Sequence, residues 1–351
     1  MKSNGLEKKA KEALVNLLQE IPFLRLDLDS LPLWPTVFRP DLIARLDIEN
    51  RSLYLIGEIK NDGQPRYARQ AVNQLLRYLD QVPNAYGVFI APFISPRAAE
   101  ICQDANIGYI DFAGNSHLSF LQVYIHKEGN PNPFTEKRYL RSLYRPKAER
   151  ILRVLLVSGP KKWKVAELAA EAGVSLGQVS NVKKLLTDRE WVDVQSIGFA
   201  LTSPLELLKE WAGSYNFRRN QIAEHYTMLG VTDFEYKLGE VCLQKNISYG
   251  LTGFSGAARM APMVRYQRVM AYIQDDLDRL KQELELKSVS SGANVMLMTP
   301  YDEGVLYASA DVADLKIVSP VQVYLDLIGY RGRGEEAAEA ILDRVIHKTW
   351  F

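Results

Sequence analysis

Tyr86-Gly87-Val88-Phe89-Ile90-Ala91 is an unbroken apolar run only six residues long. An alternating strand can face water on one side, whereas a continuous apolar run belongs in the middle of a sheet covered on both faces. The neighbouring segments supply the covers. Residues 66–81 repeat Ala71, Leu75, Leu76 and Leu79 at helical spacing, and residues 95–105 read as another helix. Upstream, Leu6, Ala10, Leu14, Leu17 and Ile21 give residues 5–21 the apolar face of an amphipathic helix. Residues 36–48 and 53–60 are strand-like, with Asn50-Arg51-Ser52 as the turn. Tyr109-Ile110-Asp111-Phe112 and residues 118–125 are further strands. The order helix, hairpin, helix, strand, helix, strand, strand predicts a compact α/β domain over residues 1–128.

Residues 127–135 read as a linker from their Gly, Asn and Pro content. Beyond them the charge changes. Residues 137–190 hold thirteen Lys/Arg and five Asp/Glu, a local net of +8 in a chain whose total is +1. Everything outside this window therefore sums to −7, so a basic module sits between acidic flanks. Within it, residues 147–157, 164–172 and 175–186 are helical, with Gly173 in a tight turn and Ser175 as the cap of the third helix. Residues 191–194 and 198–202 alternate like a small hairpin. Three helices and a hairpin predict a winged helix-turn-helix over residues 137–203.

Residues 204–351 form a third unit, α/β or α+β. Strands are expected at 266–273, 294–299, 304–309 and 315–318. Helices are expected at 205–222, 232–244, 275–285, 319–327 and 334–346. Gly253-Phe254-Ser255-Gly256 lacks the spacing of a nucleophile elbow. Arg331 and Arg333 read as exposed loop residues ahead of a helix.

Two cysteines, Cys102 and Cys242, lie in helix-like segments and read as reduced thiols. The four histidines form no i,i+4 pair, which argues against a zinc-protease type of metal site. No apolar run approaches membrane-spanning length, and residues 1–20 are charged throughout. The expectation is a cytoplasmic protein with no membrane partner.

The N-terminal domain carries the chemistry. Glu58 and Lys60 are two apart on a strand and share a face, while Ile59 points into a core. With the reversal near Asn50 and Arg51, Asp41 falls opposite Lys60 and Ile43 opposite Glu58. Two acids brought together repel, and a Mg²⁺ or Mn²⁺ ion relieves that repulsion with oxygen ligands. Such an ion acidifies a bound water and neutralises charge growing on a phosphodiester. Lys60 would orient the attacking water or hold a phosphate oxygen.

Pro40-Asp41 and Glu58-Ile59-Lys60 resemble the motif of the PD-(D/E)xK nuclease superfamily. Gln74-Leu75-Leu76-Arg77-Tyr78 is similar to its Q-x-x-x-Y element, and Gly108-Tyr109-Ile110-Asp111 to a late strand of Mrr-type restriction nucleases. The resemblance spans residues 5–125. It implies Asp41, Glu58, Lys60, Gln74 and Tyr78 as catalytic residues, Asp41 and Glu58 as metal ligands, and Glu7 of the first helix as a further ligand. Glu12 points away from that helix's apolar face. Nucleases of this kind often cut as dimers, so the resemblance is compatible with a homodimer.

In the basic module the third helix would lie in the major groove of double-stranded DNA, offering Ser175, Gln178, Ser180, Asn181 and Lys184. Gln178 and Asn181 suit adenine edges. Arg145, Lys161, Lys162, Lys164 and Lys183 would hold phosphates. Gln195-Ser196-Ile197-Gly198 is the wing tip.

Residues 251–258 and 319–338 resemble segments of the abortive-infection type IV antitoxin family, over about residues 145–350. That family pairs a winged helix with a C-terminal α/β domain, regulates its own operon and counters a nucleotidyltransferase toxin. The leading expectation from the whole sequence is a Mg²⁺-dependent DNA endonuclease of bacterial defence. The alternative is a DNA-binding regulator or antitoxin whose nuclease-like domain does not cut.

Overall fold

A computed structural model describes residues 3–28, 39–49, 51–133, 143–262, 266–274, 277–289, 291–330 and 333–350. The fold is mixed α/β. The chain divides into two compact units, Met1–Arg138 with Thr187–Glu190, and Tyr139–Leu186 with Trp191–Phe351.

In the first unit, α1 (Ser3–Leu18) precedes β1 (Leu24–Asp27), β2 (Leu42–Ile48) and β3 (Arg51–Ile59). Then come α2 (Pro65–Leu79), β4 (Ala85–Ala91), α3 (Pro96–Asp104), β5 (Gly108–Asp111), β6 (Ser116–Phe120) and β7 (Val123–Lys127). The seven strands lie side by side in chain order. The first three are antiparallel, β3, β4 and β5 run parallel, and β6 and β7 turn back antiparallel. The apolar run at residues 86–91 is β4, in the centre of this sheet as its composition demands. Leu6, Ala10, Leu14 and Leu18 of α1 cover one face, against Leu42, Ala44, Leu46 and Leu55. Ala68, Ala71 and Leu75 of α2 and Ala98, Ile101 and Cys102 of α3 cover the other, against Ile56 and Phe89.

Several sequence expectations change. The β2–β3 reversal lies one residue earlier than expected, with Glu49 at φ 51°; Asn50 lies outside the described residues. Leu42 therefore pairs with Gly57 and Ile43 with Ile56. This register sets Asp41 opposite Glu58, not opposite Lys60. The expected strand at 36–48 starts at Leu42, and residues 36–38 lie outside the described residues. Residues 118–125 make two strands, because Leu121 takes a left-handed turn at φ 47°. Leu76, read as part of the apolar face of α2, is 41% exposed. The buried stripe runs instead through Ala71, Leu75 and Tyr78.

The second unit begins with α4 (Pro146–Val157), β8 (Lys162–Trp163), α5 (Val165–Glu171), α6 (Leu176–Asp188, whose last two residues group with the first unit), β9 (Val192–Gln195) and β10 (Gly198–Leu201). The three expected helices and the hairpin are all present, and β8 extends the hairpin to three strands in the order β8-β10-β9. Gly173 makes the turn between α5 and α6 at φ +60°.

The chain continues through α7 (Pro204–Ser214), β11 (Gln221–Tyr226), α8 (Val231–Gln244), β12 (Tyr249–Leu251), α9 (Gly253–Met260) and β13 (Val269–Ile273). Next are β14 (Lys287–Ser288), β15 (Val295–Thr299), β16 (Ala310–Val312), β17 (Leu315–Ile317), α10 (Pro320–Ile328) and α11 (Arg333–Ile341). The strands form one mixed sheet ordered β14-β11-β15-β13-β12-β17-β16. The expected helix at 205–222 stops at Ser214; a 3-10 turn at Phe217–Arg219 follows, and Gln221 and Ile222 begin β11. Residues 304–309, expected as a strand, hold a short 3-10 turn at Glu303–Leu306. The expected helix at 275–285 is a 3-10 turn at Leu277–Arg279 followed by further turns; residues 275–276 lie outside the described set, as does Arg331. One hydrophobic core runs through this unit, joining Leu152 and Leu155 of α4 to Leu207, Trp211, Tyr272 and Leu325. Trp350 seals its end, donating from Nε1 to the Leu156 carbonyl at 2.9 Å.

Candidate functional site

Asp41, Glu58, Lys60, Gln74 and Tyr78 come together at one end of the first sheet. Asp41 sits at the start of β2, where its Oδ2 accepts the Ile59 amide at 2.8 Å. Glu58, on β3, is only 2% exposed and faces α2 beside Ile56. The Lys60 ammonium donates to Glu58 Oε2 at 2.7 Å and to Gln74 Oε1 at 2.8 Å. Gln74 and Tyr78 are four apart on α2, so both reach the same strand end. The Tyr78 hydroxyl hydrogen-bonds the Glu58 carboxylate.

Burial pushes the Glu58 carboxyl above its ordinary value. The Lys60 hydrogen bond works against burial, and the Asp41 charge adds to it. Burial and the Glu58 charge push the Tyr78 phenol up, so it remains a donor. Two carboxylates thus meet one ammonium here, Glu58 buried and Asp41 exposed. Asp41 and Glu58 are hard oxygen donors, the type that Mg²⁺ and Mn²⁺ take. Glu7 is not gathered with them: it is exposed on α1, and α1 covers the opposite face of the sheet from Glu58. Among the described residues no group of three or more His, Cys, Asp or Glu side chains is arranged to hold a metal ion.

The second set of expected residues lies on the helices and strands of residues 143–201. Ser180, Asn181 and Lys184 are exposed on α6, and Gln178 is half-buried. Ser175 is exposed, but its hydroxyl caps α6 by accepting the Gln178 amide at 3.2 Å. Lys161 and Lys162 are exposed, and the Lys161 ammonium lies 3.7 Å from the centre of the Trp163 ring. Lys164 is exposed at the N-cap position of α5, its backbone amide donating to Glu167 Oε2 at 3.4 Å, and Lys183 sits 5.3 Å from the Phe199 ring centre. Arg145 is exposed at the N-cap of α4. At the wing tip Ile197 is 76% exposed.

Not all of the local +8 faces outward. Arg150 and Arg153 of α4 turn inward. Arg150 donates to Asp302 from Nε at 2.7 Å and from Nη2 at 2.9 Å, and it also meets Glu303. Arg153, fully buried, donates to Gln322 Oε1 at 3.1 and 2.7 Å and to the Tyr301 hydroxyl at 3.2 Å. Glu149, also fully buried, accepts from Arg219 at 2.6 Å and from the Tyr301 hydroxyl. Gln322 extends the network to Asp326, which Thr252, Tyr215 and Tyr272 also hold. The sequence gives one late hint of this: Glu149 interrupts a basic run at a helical position that packs inward.

Residues 200–347 match a family model described as transcriptional regulator, AbiEi antitoxin, type IV TA system. No curated protein and no solved structure matched the chain. Among the described residues no helix is long and apolar enough to cross a membrane.

Proposed function

We propose that this protein is a DNA-binding transcriptional regulator of the type IV antitoxin kind. The observation that carries this reading is the family match over residues 200–347, directly following a helix-helix-wing module with exposed Lys161, Lys162 and Lys184. In this reading α6 enters the major groove, Gln178 and Asn181 meet base edges, and the lysines hold phosphates. A toxin is the functional counterpart that the family description implies, and the sequence resemblance makes a nucleotidyltransferase the kind expected. The test is binding of the purified chain to the DNA upstream of its own gene, by fluorescence anisotropy against scrambled duplex. Specific binding, coupled to repression of a reporter on that DNA, supports the regulator. Equal affinity for both duplexes and no repression removes it.

The cluster at Asp41, Glu58, Lys60, Gln74 and Tyr78 favours a second reading, a metal-dependent nuclease in the N-terminal unit. Asp41 and Glu58 would hold the ion, which when bound supplies water acidification and charge neutralisation at phosphate. Lys60, fixed between Glu58 and Gln74, would hold a phosphate oxygen. Tyr78 keeps Glu58 in place through its hydroxyl. Incubating supercoiled plasmid with Mg²⁺ or Mn²⁺ tests it. Nicking that Lys60→Ala abolishes supports cutting, and intact plasmid with both ions rules it out.

A further inference from the structure

One cross-strand row traverses the first sheet: Glu58 pairs with Phe89, Phe89 with Tyr109, Tyr109 with His117 and His117 with His126. The row begins at the acidic cluster and ends at the β7 edge, four strand spacings or about 19 Å away. At that edge the two imidazoles face each other, with Nδ1 to Nδ1 at 3.3 Å. Tyr109 stacks on His117 at 6.1 Å and Tyr124 on His126 at 6.5 Å, which holds both rings. His126 turns its other nitrogen, Nε2, to Glu128 Oε2 at 3.3 Å.

We infer that His117 and His126 form a bidentate site for a borderline transition-metal ion of the Zn²⁺ or Cu²⁺ class, separate from the Asp41–Glu58 cluster. Two nitrogens each about 2.0–2.1 Å from a tetrahedral zinc lie about 3.3–3.4 Å apart, the spacing that this pair already has. Glu128 behind Nε2 fixes the tautomer, leaving the Nδ1 lone pair of His126 as the ligand. In the metal-free pair the His117 Nδ1–H then donates to that lone pair, and on metal binding its proton moves to Nε2, so both Nδ1 atoms ligate and no net proton is lost. Imidazole ligands select Cu²⁺ over Zn²⁺ and exclude Mg²⁺. Among the described residues no third His, Cys, Asp or Glu joins the pair. Two coordination positions therefore stay open to water or an exogenous donor, on a side chain pair that solvent reaches: His126 is 34% exposed.

The test is calorimetric titration of the full chain, stripped with chelator, with ZnCl₂, CuCl₂ and MgCl₂ separately. One Cu²⁺ and one Zn²⁺ per chain are expected at the pair, copper tighter, with no such event for Mg²⁺. His117→Ala and His126→Gln should each abolish that event. Glu128→Gln should weaken it by about 10-fold or more, and His347→Ala should leave it intact. Paramagnetic broadening by Cu²⁺ of the His117 and His126 ring signals, ahead of His225 and His347, checks the wild type without any variant. Binding that survives both His117→Ala and His126→Gln, or broadening confined to the other histidines, overturns the proposal. So does the absence of Zn²⁺ and Cu²⁺ binding.

Discussion

Arg150 on α4 grips Asp302 with two parallel hydrogen bonds, Nε to Oδ1 at 2.7 Å and Nη2 to Oδ2 at 2.9 Å. The pair is 152 residues apart and nearly buried, at 11% and 7% exposure. It fastens the first helix of the basic module to the loop after β15. Charge-assisted pairs of this geometry are among the strong ones, and removing one partner leaves the other charge stranded. Asp302→Ala should cost about 3 kcal/mol in urea unfolding of the full chain. A loss well under 1 kcal/mol would show that Glu303 substitutes for the missing partner. The pH dependence has a definite sign. Burial raises the Asp302 carboxyl, but the Arg150 hydrogen bond and the Gly304 amide outweigh it and hold it below its ordinary 3.8. Its stabilisation is present above 3.8 and disappears as pH falls through the lower folded value. Asp302→Asn should show a smaller loss of stability than wild type over that acid range.

Glu58 has the opposite sign. Burial holds its carboxyl above 4.5, so the folded state binds this proton more tightly than the unfolded chain does. The group therefore costs nothing below 4.5, and stability falls as pH rises from there through the folded value. Glu58→Gln keeps the shape and removes the titration. Its stability profile should be flatter than wild type across that window. Parallel profiles for the two proteins would mean that Lys60 and Tyr78 fully compensate the buried charge.

Lys184 is exposed on α6, whereas the Lys183 ammonium lies over the Phe199 ring. Each lysine that neutralises one phosphate contributes about 0.9 to the slope of log K against log salt. Lys184→Ala should lower that slope by about 0.9, and the double change with Lys183 by no more than about 1.8. An unaltered slope in the double variant would take this helix out of the DNA interface.

Arg153 is fully buried between Gln322 and Tyr301, with Trp211 5.0 Å beneath its guanidinium. Truncating it to Ala removes packing and leaves the Gln322 carbonyl unpaired. The expected cost is about 3 kcal/mol, read as a lower urea midpoint. Because α4 and α10 share this network, operator affinity should fall together with stability. Full affinity in a destabilised variant would separate DNA binding from this contact.

Much of the fold was legible because its signals are local. The period of Leu6, Ala10 and Leu14 marks α1, and the unbroken run at Val88–Ala91 marks a central strand. Gly173 and Ser175 bracket the turn into α6. The short strands gave no such signal. β12 has three residues and β1 only four, too few for a periodicity to rise above its surroundings. The end of the helix expected at 205–222 failed for a similar reason: Gln221 and Ile222 suit either state, and pairing with Thr299 and Met298 of β15 decides it.

The candidate site divides the same way. Sequence alone determined which side chains carry charge and which positions share a face, so Glu58 with Lys60 and Gln74 with Tyr78 follow from periods of two and about four. Only the tertiary structure decided that Asp41 stands opposite Glu58, because register is set by turn geometry, where a shift of one residue at Glu49 moves the whole pairing. Tertiary packing also made internal braces of Arg150 and Arg153, two of the charges in the local +8, and brought His117 against His126. Periodicity describes one segment at a time, whereas the partners of a side chain depend on how distant segments dock.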